Sequence, residues 1–136
     1  MNTRICPETG AEMRRGVRQE TLTYKDFTTT FEMPGWYPEG SDEGIHNGED
    51  MKISDRALNR LKAQAAALLL PEEIRKIRKA LHLTQAQAGV LIGGGPNAFQ
   101  KYEAGALLPS KALCNLLRIL SQLPNAMEIL KKSPSA

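Results

Sequence analysis

LTQAQAGVLIGGGPNAFQKYEAG, residues 83–105, decides the fold of the C-terminal half of this chain. Thr84 is a good N-cap, and Gln87 three residues later completes a capping box, so a first helix begins here. The three glycines at 93–95 favour a tight turn over a helix. Pro96 then suits the first turn of a second helix, where its missing N–H costs nothing. The segment therefore predicts a helix-turn-helix.

The second helix of this motif has two distinct faces. Phe99 and Tyr102 are three residues apart and are predicted to point inward, whereas Asn97, Gln100 and Lys101 share an outer face. An outer face of amide and ammonium groups suits base edges in a DNA major groove. The candidate DNA-binding residues are Gln85, Gly95, Asn97, Gln100 and Lys101. A surface helical hairpin without any partner is the alternative.

Charge is distributed unevenly between the two halves of the 136 residues, whose formal net charge is +3. Residues 71–136 contain nine Lys and Arg against four Asp and Glu, while residues 1–70 contain nine against eleven. A basic half joined to a mildly acidic half is typical of a DNA-binding domain linked to another module. We therefore expect a partner-binding domain at 1–70 and a DNA-binding and dimerisation domain at 71–136.

Helical periodicity extends on both sides of the motif. Residues 54–70 predict a helix capped by Ser54 or Asp55, and Pro71 begins the next helix. Within the motif, Ala88, Val90 and Leu91 or Ile92 are predicted to form the inner face of the first helix. With the helices after Pro109, the C-terminal half is predicted to be a five-helix domain of the Xre/Cro helix-turn-helix type. Its expected dimer surface is formed by Leu117, Leu120, Met127 and Leu130.

The N-terminal half has strand periodicity instead. Threonines and aromatic residues alternate over 17–33, which predicts a short antiparallel β element with a turn or bulge near Lys25 and Asp26. Residues 32–50 carry six acids and several Gly and Pro residues, and are predicted to be a loop. The fold class is therefore α+β. The candidate partner-binding residues are Tyr24, Phe27, Phe31 and Trp36.

These motifs resemble those of MqsA-type antitoxins. The block GGGPNAFQKYEAG at 93–105 carries the resemblance, and the layout adds Cys6-Pro7, the Thr-rich β segment and Gly35-Trp36-Tyr37. The resemblance implies an N-terminal toxin-binding domain and a C-terminal helix-turn-helix that dimerises and represses its own operon. It also implies a cognate toxin that is a small basic ribonuclease cleaving mRNA. The family's base-reading Asn and Arg match Asn97 and Lys101 here, so the Arg is replaced.

The resemblance also implies a zinc ion held by two Cys-x-x-Cys pairs, and this chain departs from that pattern. Cys6 matches the first ligand, but Thr9 stands where the second would be, and Pro38 and Ser41 lie near the positions of the second pair. A structural zinc site needs four good ligands. A set of Cys6, Glu8, Asp42 and His46 has no recognised spacing. We therefore expect a metal-free domain, packed around Tyr24, Phe27, Phe31 and Trp36.

The sequence contains no pattern typical of a membrane protein, a secreted protein or an enzyme. No apolar run approaches the roughly 20 residues that span a bilayer, and no signal-peptide core follows Met1, so we expect a cytoplasmic protein without membrane contact. Cys114 lies in an apolar helical pattern, which predicts a small core residue. No phosphate-binding loop or catalytic constellation is present, so neither enzymatic activity nor a cofactor is expected. The alternative to the antitoxin is a stand-alone phage-type or mobile-element repressor without a toxin partner.

Overall fold

The computed structural model describes residues 3–40 and 43–132, and the chain divides into two compact units, residues 1–61 and 62–136. The α+β class is confirmed. The strands are β1 (Thr3–Ile5), β2 (Glu12–Tyr24) and β3 (Phe27–Pro38). The helices are α1 (Gly48–Ala65), α2 (Pro71–Ala80), α3 (Gln85–Leu91), α4 (Ala98–Ala104), α5 (Lys111–Gln122) and α6 (Met127–Lys132), with a 3-10 turn at Pro124–Ala126. None of the helices in the described ranges is both long enough and apolar enough to span a membrane.

The first unit is built on a three-stranded antiparallel sheet in the order β1-β2-β3. Strands β2 and β3 form a long hairpin whose register runs from Met13↔Pro38 to Tyr24↔Phe27, so the predicted turn at Lys25 and Asp26 is confirmed. The prediction of a loop over residues 32–50 is wrong for residues 32–38. Strand β3 continues to Pro38 because its last third pairs with the first residues of β2.

Helix α1 begins at Gly48, six residues before the predicted start. The side chain of Asn47 accepts a hydrogen bond from the Asp50 backbone N–H at 2.8 Å, and the Asp50 carboxylate accepts one from the Asn47 N–H at 3.0 Å. This reciprocal arrangement satisfies two amide groups that a helix start otherwise leaves unpaired. Residues 48–50, predicted as part of the acidic loop, are therefore the first turn of the helix.

The second unit is a helical domain with one hydrophobic core. The predicted five helices after Leu70 are present, and Phe99 lies at the centre with no exposed surface. The prediction for Cys114 is confirmed, since it is fully buried and its Sγ accepts the Leu69 N–H at 3.4 Å. The inner face predicted for α3 is correct for Ala88 but wrong for Val90, which is 61% exposed. The buried members of the core are Leu69, Ile74, Leu83, Ala88, Ala98, Phe99, Tyr102, Leu113, Cys114, Leu117, Leu120 and Met127.

Three of the four residues predicted for the dimer surface are members of that core. Leu117, Leu120 and Met127 are 0%, 1% and 4% exposed, so their side chains stabilise the fold of the unit and do not reach its surface. Leu130 is partly buried and packs against the same core. A helical stripe indicates which face of a helix is apolar, but the neighbouring helices of the same chain cover this one first.

Candidate nucleic-acid interface and partner-binding hairpin

The start of the helix-turn-helix is fixed by local hydrogen bonds. The Thr84 hydroxyl accepts the Gln87 N–H at 3.1 Å, and the Gln87 side chain accepts the Thr84 N–H at 3.0 Å, which confirms the predicted capping box. Capping places Gln85 at the first helical position of α3, where its side chain is partly buried. Gln85 therefore lies at a defined position beside α4 rather than on a free loop.

The turn between α3 and α4 requires glycine for two reasons. Gly93, Gly94 and Gly95 have φ values of +142°, +98° and +92°, which L-residues with a side chain rarely adopt. Within α3, a Cβ on Gly89 would lie 1.8 Å from the carbonyl oxygen of Gly95. The backbone of the turn therefore passes directly against helix α3. This close approach keeps the two helices of the motif at a short, fixed separation.

Helix α4 has one buried face and one exposed face. Its regular part begins at Ala98, with Asn97 as the N-cap residue, two positions after the predicted start at Pro96. The predicted inward direction of Phe99 and Tyr102 is confirmed, since both are buried with their rings edge to face at 5.6 Å. Gly105 closes the helix with φ +76°, as predicted. The side chains left exposed in and beside α4 include Asn97, Gln100 and Lys101.

The inner side of α4 carries a charge network that sequence reasoning missed. The Glu103 carboxylate has no exposed surface and accepts hydrogen bonds from Arg78 Nε at 2.7 Å and Arg78 Nη2 at 2.8 Å. Arg75 Nε and Gln85 Nε2 each donate to its Oε1 at 3.3 Å. Arg78 Nη1 also donates to the Leu83 carbonyl at 2.9 Å. One buried carboxylate thus joins helices α2, α3 and α4.

The network has a clear electrostatic signature. Burial raises the pKa of Glu103, but hydrogen bonds from Arg78 and Gln85 outweigh it, so the pKa lies below the ordinary value. The hydrogen bond to Glu103 in turn raises the pKa of Arg78. Both groups are therefore held in their charged forms. The only sequence signal is the presence of two arginines on α2, and such a pattern is equally typical of a solvated face.

The β2–β3 hairpin places the predicted partner-binding residues on two different faces. Side chains alternate along a strand, so Tyr24, Phe27 and Phe31 share one face by the observed register. Phe27 is 38% exposed, and Tyr24 and Phe31 are partly buried. The predicted packing of the unit around these residues is therefore wrong, and Met13, Met33 and Tyr37 are buried instead. The opposite face has threonine pairs, such as Thr21 and Thr30, whose hydroxyls lie 3.0 Å apart. The part of the hairpin nearest the turn at Lys25 and Asp26, called the distal hairpin, therefore has aromatic side chains on one face and threonine hydroxyls on the other.

Trp36 does not lie with the other three aromatic residues. It belongs to the opposite face of β3, where its ring is approached by Arg4 at 5.8 Å and Arg15 at 5.6 Å. Its backbone forms an isolated bridge with Ile45, with N···O distances of 2.8 and 2.9 Å. Cation–π contacts of this kind hold the Trp36 ring against the sheet. Trp36 thus contributes to the internal structure of the sheet unit.

An ion pair connects this sheet to helix α1. Arg15 Nη1 donates to Asp50 Oδ2 at 2.8 Å, Nη2 contacts Oδ1, and the Asp50 side chain is 3% exposed. The hydrogen bond from Arg15, aided by the Asn47 backbone N–H, lowers the pKa of Asp50 to about 2. Arg15 and Asp50 are 35 residues apart, and no spacing in the sequence connects them. This pair links the long hairpin to the first turn of the helix.

The Arg15–Asp50 pair predicts acid sensitivity of the sheet unit. A folded pKa of about 2 lies below the ordinary 3.8, so the contribution to stability is complete above about pH 4. It is lost as the pH falls from about 4 toward 2. Trp36, the single tryptophan, lies in this unit, so its fluorescence during urea unfolding reports the effect. We expect the urea concentration at the midpoint of unfolding of the wild-type chain to decrease as the pH falls from about 4 toward 2.

Two variants make that measurement specific. Asp50→Asn removes the titrating group and is expected to lower the midpoint at pH 7 and to flatten its dependence between pH 4 and 2. Glu49→Gln alters the adjacent carboxylate, whose side chain is 80% exposed, and is expected to follow the wild-type curve. Equal curves for wild type and Asp50→Asn would show that the pair does not hold the unit together.

The residues at the implied zinc positions do not fit that metal. Cys6 lies in a turn in which its N–H bonds the Ala11 carbonyl at 2.8 Å, and a hydrogen bond with Thr9 lowers the pKa of its thiol. His46 uses Nδ1 for the Pro34 carbonyl at 2.8 Å. Ser41 and Asp42 lie outside the described residues. Within 3–40 and 43–132, no three His, Cys, Asp or Glu side chains come together as a metal-binding group.

The fold and the site define a class: an α+β protein that carries a β-hairpin unit and a helical unit with a helix-turn-helix. A family model described as the antitoxin component of bacterial toxin-antitoxin systems, MqsA, matches residues 1–131. The chain is also 33% identical over 132 residues to Antitoxin MqsA of Escherichia coli (strain K12), covering 93% of this chain and 97% of that relative. The chain therefore belongs to the MqsA antitoxin family, which is not a family of enzymes.

Proposed function

We propose that the helical unit binds a palindromic operator as a homodimer and thereby represses the operon that encodes it. The observation that carries this proposal is the two-sided helix α4. Phe99 and Tyr102 fix its inner face in the core, while Asn97, Gln100 and Lys101 are exposed together. A helix held in this way can enter a major groove without losing its contacts to the domain.

The proposed contacts divide into two kinds. Asn97 and Lys101 read bases, and Gln85, Gly95 and Gln100 support them through contacts at the edge of the groove. Lys101 stands where the resemblance implies Arg. A Lys retains the charge but lacks the planar bidentate fork that suits guanine. The operator of this chain is therefore expected to differ from that of its relatives at the base pair that Lys101 contacts.

Asn97→Ala is expected to weaken binding to the operator by about 1–3 kcal/mol. Binding to a scrambled duplex of the same length should change little, because phosphate contacts supply the free energy of sequence-independent binding. The measurement is fluorescence anisotropy with duplexes from the region upstream of the gene. Gln64→Ala, at an exposed amide side chain of α1, is the control. An equal loss on both duplexes would contradict base reading by Asn97.

The dimer surface is proposed to involve the apolar residues that the last helices leave exposed. Ile119, Leu123 and Ile129 are 52%, 62% and 70% exposed. A symmetric dimer would require half-sites about 34 Å apart, or a multiple of that distance. A duplex with a single half-site is therefore expected to bind much more weakly than the full palindrome. Equal affinity for the two duplexes would contradict dimeric recognition.

The second part of the proposed function is that the sheet unit binds a toxin protein. The distal hairpin supports this, because Tyr24, Phe27 and Phe31 form one aromatic face. Among the described residues, the outer edge of β3 is bonded at Trp36 and at the Pro34 carbonyl, so residues 27–32 offer backbone groups for strand addition. By resemblance, the partner is a small basic ribonuclease that cleaves mRNA. The acidic residues after β3 would raise its rate of association.

Phe27→Ser is expected to weaken binding of the protein encoded beside the gene tenfold or more, which corresponds to about 1.4 kcal/mol or more. Val17→Ser is the matched control, because Val17 is 57% exposed on the opposite face of the hairpin. Calorimetric titration of the full chain measures both. Equal affinities for the two variants would contradict a role for the aromatic face. A neighbouring protein that does not bind wild type would favour the stand-alone repressor.

A further inference from the structure

Two polar side chains next to the recognition helix are held by the same buried group. Arg75 Nε and Gln85 Nε2 each donate to Glu103 Oε1 at 3.3 Å. The Arg75 side chain is nevertheless 54% exposed, and its Nη groups make no hydrogen bond with any residue in 3–40 or 43–132. Arg75 is therefore anchored at Nε while its two outer nitrogens face solvent.

The Glu103 carboxylate that holds Arg75 and Gln85 is itself fixed in position. Glu103 is completely buried and is bound bidentately by Arg78, which is also tied to the Leu83 carbonyl. Glu103 lies on the inner side of α4, the helix whose outer side carries Gln100 and Lys101. The positions of Arg75 and Gln85 are therefore coupled to the position of the recognition helix through one carboxylate.

We propose that Glu103 is a positioning residue that orients Arg75 and Gln85 so that their remaining N–H groups donate to DNA phosphates beside the major groove. This inference rests on the proposed DNA binding. An arginine already held at Nε loses less rotamer freedom when it binds a phosphate than a free surface side chain does. Glu103 makes no contact with DNA; it acts through Arg75 and Gln85.

Removal of the Arg75 side chain tests the phosphate contact. Arg75→Ala is expected to lower the affinity for the upstream duplex and for a scrambled duplex by the same factor, about threefold to tenfold. The slope of log affinity against log salt concentration should become shallower by about one, as expected for one lost phosphate contact. Lys76→Ala is the matched control. Lys76 is the next residue of α2 but lines a surface pocket of the protein together with Ile77 and Leu120, so its loss should leave the slope unchanged.

A double-mutant cycle tests the role of Glu103. In Glu103→Gln the charge that holds Arg75 is lost at nearly constant side-chain volume, so Arg75→Ala should then cost less than it does in the wild-type chain. Circular dichroism confirms that the helices remain folded. If Glu103→Gln does not fold, Arg75→Lys replaces it: the ammonium keeps the charge and the salt slope, but without an Nε–H the affinity for both duplexes should fall about threefold.

The outcomes separate this inference from the proposed function. Three results would each overturn the positioning role. The first is that the losses of affinity in Arg75→Ala and Glu103→Gln simply add in the double variant. The others are a wild-type affinity of Arg75→Lys and an unchanged salt slope in Arg75→Ala. In those cases Asn97→Ala would still distinguish the two duplexes, and the proposed DNA binding would stand. A wild-type chain that binds neither duplex would overturn both.

Discussion

Gly89→Ala is expected to destabilise the helical unit by about 3 kcal/mol or more and to abolish operator binding. The added Cβ would lie 1.8 Å from the Gly95 carbonyl oxygen and 2.7 Å from its carbonyl carbon, and these are backbone atoms that cannot rotate away. Overpacking of a core typically costs about 1–3 kcal/mol, and a backbone clash belongs at the upper end. The gain of about 1 kcal/mol in helix propensity from Gly to Ala does not offset it.

Two optical signals distinguish this effect from general unfolding. Far-UV circular dichroism follows mainly the helices of the second unit, whereas Trp36 fluorescence follows the sheet unit. We expect the circular dichroism midpoint of Gly89→Ala in urea to fall and the Trp36 midpoint to stay at its wild-type value. Gly16→Ala is the matched control, because a Cβ there meets nothing within 4 Å. A Gly89→Ala variant with wild-type stability and full operator binding would show that the turn relaxes without consequence.

Arg78→Met is expected to destabilise the helical unit by about 3–5 kcal/mol, the usual cost of removing one partner of a buried ion pair. The substitution removes two donors from the fully buried Glu103 and one from the Leu83 carbonyl. The remaining hydrogen bonds to the carboxylate, from Arg75 and Gln85, are both long at 3.3 Å. Desolvation then dominates, so the pKa of Glu103 rises in the variant and the carboxyl is driven toward its neutral form.

A second substitution identifies the cause of the loss. In Arg78→Met/Glu103→Met no charge remains buried, and most of the stability should return, because apolar replacement of a whole buried pair is often neutral or stabilising. Lys79→Met, at the exposed neighbouring position, should change the free energy of unfolding by less than about 0.5 kcal/mol. Urea unfolding followed by circular dichroism measures all three variants. A double variant as unstable as Arg78→Met would show that lost packing, not the unpaired charge, is responsible.

The helix-turn-helix is determined by the sequence itself because its signals are local. The Thr84 capping box and the Gly105 stop each depend on residues within one turn of helix, and their backbone geometry follows from residue type. The alternation of Phe27 and Phe31 likewise predicts a strand, and the turn at Lys25 and Asp26 follows from it. The α+β class and the two faces of α4 are therefore properties that residue type and spacing are enough to predict.

Local signals fail wherever competing patterns look alike or the partner of a residue lies far along the chain. Acidic residues next to glycines are also typical of loops, so the start of α1 at Gly48 is not evident until the reciprocal bonds between Asn47 and Asp50 are seen. Residue type alone groups Trp36 with Tyr24 and Phe27 as one aromatic set. Trp36 lies nine positions from Phe27 on the same strand, so the two side chains point to opposite faces, which the prediction of a loop from residue 32 did not reveal.

Only the tertiary structure decided which charged groups are buried, and with that which charges act together. Leu117 and Leu120 have the spacing of an interface, yet the helices of their own unit cover them, because folding buries an apolar stripe before any partner can. The Glu103 network and the Arg15–Asp50 pair have no sequence signature, because a charged residue reveals neither its burial nor its distant partner. The sequence by itself thus determined the helix-turn-helix and the exposed face of α4, and the packing of the elements determined the ion pairs that hold them.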